Sequence, residues 1–117
     1  MTSENRARRL LDAYQALRKV LLTVLALPIE LPELGGGQFR AGDSKRAVEH
    51  ARSILRDMPA DWHRRELVDQ LALEWLEAVI MTKLAETRDG STYGDIADSA
   101  LTRFAATLEV IRYDEEL

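Results

Sequence analysis

Apolar residues recur at spacings of three and four along most of the chain, in four stretches separated by proline or glycine. Over residues 3–27, Ala7, Leu10, Leu11, Tyr14, Leu17, Leu21, Val24 and Leu25 line one face of a helix. Ser3 stands where an N-cap belongs, with Glu4 in the first turn. Pro28 ends the helix, because it lacks an amide hydrogen and restricts Leu27. A second helix, from Asp43 or Ser44 over 44–57, turns Ala47, Val48, Ala51, Ile54, Leu55 and Met58 inward. Lys45, Arg46, Arg52 and Arg56 lie on its other side, and Pro59 follows it. The third, 61–88, carries Leu67, Val68, Leu71, Ala72, Trp75, Leu76, Val79, Ile80, Met81 and Leu84 over more than half its circumference. Gly90 suits a left-handed helix end. Thr92 with Asp95 reads as a variant capping box for a fourth helix, 93–112, on Tyr93, Ile96, Ala97, Ala100, Leu101, Phe104, Leu108 and Ile111. The acidic tail 114–117 is expected to fray.

This pattern predicts an all-α four-helix bundle, one domain over 1–117, with a long Pro/Gly loop between the first and second helices. The short later links make the second, third and fourth helices antiparallel neighbours. The loop, 28–42, has two prolines in its first half and three consecutive glycines in its second. A connection of this length in a small domain either crosses the bundle or carries function.

Composition narrows the function classes. There is no cysteine, which excludes a disulfide framework, a thiolate zinc site and a cysteine nucleophile. The apolar run 20–27 is too short to span a bilayer, and the charged segment before it is too long for a signal peptide. The expectation is therefore a cytoplasmic protein with no membrane contact. The net charge is −4, but residues 1–65 hold 12 Lys and Arg against 8 Asp and Glu, and residues 66–117 hold 4 against 12. Basic helices packed beside acidic ones would produce this asymmetry, as would two surfaces suited to mutual assembly.

Few residues converge on a recognisable chemistry. His50 and His63 have Glu49 and Glu66 nearby and read as surface histidines. Arg56 and His63, six residues apart in between, resemble the Arg-x(4–6)-His pair of the HEPN ribonucleases. That likeness covers two residues, with Pro59 between them, and we read it as coincidence. Glu74-x-x-Glu77 and Asp95-x-x-Asp98 place paired carboxylates on one face of two successive helices, the oxygen ligands a magnesium–triphosphate site uses. Over roughly residues 62–111 this resembles the all-α nucleotide pyrophosphohydrolases of the MazG type, whose signature is Glu-x-x-Glu followed by Glu-x-x-Asp on the next helix. The resemblance implies Glu74, Glu77, Asp95 and Asp98 as Mg²⁺ ligands for nucleoside triphosphate hydrolysis. It departs from the family at Asp95, and Lys83 is the one basic residue close by. The plainer reading of such pairs is a solvated helix face.

The arginines Arg6, Arg8 and Arg9 sit where the helix dipole disfavours positive charge, so a partner is expected for them. Trp62, in the first turn of the third helix, is the candidate interface anchor. No cofactor is expected apart from magnesium under the pyrophosphohydrolase resemblance. The third helix has more apolar face than one small bundle needs. The expected function is thus a non-enzymatic, self-associating interaction or regulatory module, a homodimer, with Arg6, Arg8, Arg9 and Trp62 at the contact. The alternatives are the Mg²⁺-dependent hydrolase and a nucleic-acid-associated subunit working through the basic amino terminus; the acidic pI near 5.2 speaks against the latter.

Overall fold

A computed structural model of the chain describes residues 3–24, 41–57, 62–88 and 91–116. These residues form α1 (Ser3–Lys19), a π-helical segment (Val20–Val24), α2 (Ala41–Arg56), α3 (Trp62–Thr87) and α4 (Ser91–Glu116), with no strand among them. The all-α four-helix bundle read from the apolar spacing is the fold observed.

Boundaries differ from the pattern at three places. The first helix changes from α to π geometry at Val20, where the Thr23 hydroxyl donates to the Lys19 carbonyl at 2.5 Å. A threonine that bonds back to the i−4 carbonyl competes with the amide ladder and bends a helix. α2 starts at Ala41, so residues 41 and 42 of the expected loop are helical, while 28–40 lie outside the described residues, as do 25–27. α4 starts at Ser91, ahead of the expected Thr92 cap, and stays helical to Glu116 where fraying was expected.

Cross-helix bonds fix the direction of each element. Thr107 meets Glu74 and Arg103 meets Glu77, so α3 and α4 are antiparallel. Arg52 meets Asp69, and Arg65 reaches the Arg56 carbonyl, so α2 is antiparallel to α3. Arg6 of α1 lies at Asp98 near the start of α4, and Leu10 lies against Trp75. α1 therefore also runs opposite to α3, and α1 and α2 are parallel.

The core is a continuous cluster from all four helices, including Leu10, Tyr14, Leu17 and Leu21, Val48 and Leu55, Val68, Leu71, Trp75 and Val79, and Leu101, Phe104, Leu108 and Ile111. Trp75 is its centre: wholly buried, it packs 5.3 Å from Tyr14 and donates its indole N–H to the Leu10 carbonyl at 3.0 Å. A buried indole needs that acceptor, since an unpaired donor costs about 1–3 kcal/mol. Burial pushes the Tyr14 hydroxyl above its ordinary pKa, with Arg18 opposing. At 26 residues each, α3 and α4 are about 39 Å long, whereas α1 and α2, with 17 and 16 residues, reach about 25 Å.

Candidate functional site

The expected partner-binding arginines are largely engaged inside the bundle. Arg6 grips Asp98 with both prongs of its guanidinium, Nε to Oδ1 at 3.0 Å and Nη2 to Oδ2 at 3.3 Å. Arg9 adds its charge at 3.9 Å from the same oxygen. Gly94, one turn before Asp98, leaves room for this placement: a Cβ there would stand 2.8 Å from Arg6 Nη2, and the guanidinium would have to shift. The Arg6 hydrogen bond holds the Asp98 carboxyl below its ordinary pKa, aided by the Arg6 and Arg9 charges and opposed by desolvation. The same bond raises the Arg6 pKa against desolvation, with Asp98, Asp95 and Glu86 adding their field. Arg8 is exposed and makes no ion pair among the described residues.

The acidic pairs are not gathered. Asp89 and Gly90 separate α3 from α4, and antiparallel helices align residues equally distant from such a link. Glu74 therefore lies level with Thr107, and Glu77 with Arg103. The 95/98 pair sits nearer the link, offset from 74/77 along the axis by about 8–16 Å. Each carboxylate has a separate environment. Glu74, 6% exposed, accepts a 2.6 Å hydrogen bond from the Thr107 hydroxyl, which in turn accepts one from Gln70 Nε2 at 3.4 Å. It thus belongs to a polar seam between α3 and α4 and not to a solvated face. Glu77 takes Arg103 at 3.0 Å, Asp98 takes Arg6, and Asp95 is exposed. Among the described residues no three His, Asp or Glu side chains are grouped to hold a metal ion.

A second bidentate pair joins α2 to α3: Arg52 Nε to Asp69 Oδ1 at 2.7 Å and Nη2 to Oδ2 at 3.3 Å. Beside it, Leu55, Arg56, Arg65, Glu66 and Asp69 line an open cavity of about 180 Å³. Sequence reasoning singled out neither feature. The available signal was again position about a link: Arg52 with Asp69, and Arg56 with Arg65, are each centred between Ala60 and Asp61, just after Pro59. His50 and His63 are both exposed, as expected, and Trp62 packs its ring edge-on to His63 at 5.9 Å.

Among the described residues, exposure of large apolar side chains is confined to α3 and α4. Trp62 (67%), Leu73 (44%), Ile80, Val110 (48%) and Tyr113 (63%) are the exposed large apolar side chains among the described residues, and all belong to α3 and α4. Trp62, Leu73 and Ile80 stand opposite Trp75 on the turn of α3, which carries them away from the core. Periodicity pointed to Trp62 and to the width of the apolar face on α3. It did not single out Leu73, Val110 or Tyr113, because apolar identity alone does not say which side a neighbour will cover. No helix of the described residues is long and apolar enough to cross a membrane. No protein-family model matches the chain, nor does any curated protein or solved structure.

Proposed function

We propose that this protein is a helical interaction module that self-associates through the outer face of α3 and α4. The observation that carries this reading is the segregation of the exposed large apolar side chains among the described residues, all five of which lie on those two helices. Their aromatic members suit an interface centre, because tryptophan and tyrosine give large contact area at low cost in side-chain entropy. A two-fold axis would set each patch against its own copy, with the Arg103–Glu77 pair contributing complementary charges at the same face. The arginines of α1 take a smaller part than the charge pattern suggested, since Arg6 and Arg9 meet Asp98 within the chain. Among them Arg8 stays available to a partner. The pyrophosphohydrolase reading draws no support from the geometry, because its four carboxylates are staggered and three have protein partners.

Sedimentation velocity at tens of micromolar tests the proposal. The wild-type chain should run as a dimer burying about 1,600 Å². Replacing Leu73 and Val110 together by glutamate should give a monomer with unchanged helix content. A wild-type chain that stays monomeric over that range, or a double variant that still dimerises, would refute it.

A further inference from the structure

The corner where α2 ends and α3 begins is a mixed-charge cavity whose walls are held in two different ways. Arg65 is anchored by its bond to the Arg56 carbonyl at 3.3 Å, and Asp69 by the two-pronged grip of Arg52. Leu55 is buried and gives the cavity an apolar floor. The Arg56 and Glu66 side chains are exposed, and neither is hydrogen-bonded or ion-paired to another described residue. A free cation and a free anion thus share one concavity without meeting each other.

The lining is electrically balanced, two guanidinium groups against two carboxylates. A phosphate would gain the arginines and face both acids; a simple cation would meet the reverse. A molecule with both charges a few bonds apart satisfies the two free walls at once. The volume of about 180 Å³ equals that of about six waters in the liquid, which suits a molecule of six or so heavy atoms. We infer that this corner binds a small zwitterion, an α-amino acid with a short side chain, with its carboxylate on Arg56 and its ammonium on Glu66 and Asp69. The buried Leu55 floor receives the side chain. The site lies between α2 and α3, and the inference is independent of self-association.

The test is a titration of the ¹⁵N-labelled full chain with L-alanine, followed through the backbone amides of residues 52–57 and 62–69. Saturable shifts with a dissociation constant in the millimolar range are expected, as befits a ligand of few atoms in an open site. Acetate and methylammonium, each carrying one of the two charges, should bind at least about tenfold more weakly. Arg56→Gln and Glu66→Gln change exposed side chains and should leave the circular dichroism spectrum unaltered, yet each should weaken alanine binding by about tenfold or more. No saturation with alanine would overturn the inference. So would acetate binding as tightly as alanine, which would mark an anion site, or alanine affinity unmoved by both variants.

Discussion

All four helices meet in one apolar core, but α1 and α2 are fastened to it at their flanks by bidentate arginines, whereas α3 and α4 are joined by a seam of hydroxyl, amide and carboxylate groups. Arg6 reaches Asp98 and Arg52 reaches Asp69, each in a bidentate grip at the edge of the core. Between α3 and α4 the polar contacts are the Gln70–Thr107–Glu74 chain, buried at Thr107 and Glu74 and exposed at Gln70, and the exposed Arg103–Glu77 pair. The difference extends to the outer surfaces. The described parts of α1 and α2 expose no large apolar side chain, and α3 and α4 expose five. The short basic pair thus behaves as a layer fastened inward, and the long pair as a scaffold with one face still open. Charge asymmetry along a sequence can therefore arise from internal fastening, and an apolar surplus on one helix is the better sign of an external surface.

The largest effect should come from the point where the two layers share a residue. Trp75→Ala removes the indole that touches both Tyr14 and the Leu10 carbonyl, and should lower stability by about 3–5 kcal/mol in urea unfolding. A loss under 1 kcal/mol would mean that α1 is fastened by its charges alone.

A smaller effect is expected at the ionic fastening. Arg6→Gln should cost about 1–2 kcal/mol, the range for a partly buried, charge-assisted hydrogen bond, although this position opposes the helix dipole. The pH dependence follows from Asp98. Its carboxyl is depressed in the folded chain below the ordinary 3.8, so its contribution is present above that value and is lost as pH falls through the lower folded one. Thermal melts should accordingly show a decline in the wild-type chain below about pH 4 that is shallower in Asp98→Asn. Equal slopes would show that the pair adds nothing to folding.

The smallest effect belongs to the open face. Ile80→Ser alters an exposed side chain of α3 and should change monomer stability by no more than about 0.5 kcal/mol. Read at high dilution by chemical denaturation, a loss above 1 kcal/mol would mean that this face is already packed in the isolated chain.

The helices, their order and the antiparallel α2–α3–α4 arrangement were legible because apolar spacing and two short links determine them. The parallel course of α1 and α2 was not, since a 15-residue stretch rich in proline and glycine permits either direction. Asp98 was read as a candidate ligand and is a structural anchor: its role depends on Arg6, far away in sequence. Glu74 misled for a related reason. A glutamate on a helix reads as solvated unless its neighbour is known, and here Thr107 on α4 supplies the hydrogen bond that burial requires. The α2–α3 cavity depends on the meeting of a helix end and a helix start, which residue spacing within either helix does not describe.

The grip of Arg6 on Asp98 spans 92 positions of the chain. Helices α2 to α4 can assemble through neighbours in sequence, closing only short loops, but α1 must find its place across nearly the whole polypeptide. The entropy of closing a loop grows with its length, so contacts made by α1 form late in folding and are the first available to open. Arg6 then acts less on how fast the chain folds than on how long its first helix stays docked, and weakening it should accelerate unfolding while leaving the folding rate nearly unchanged.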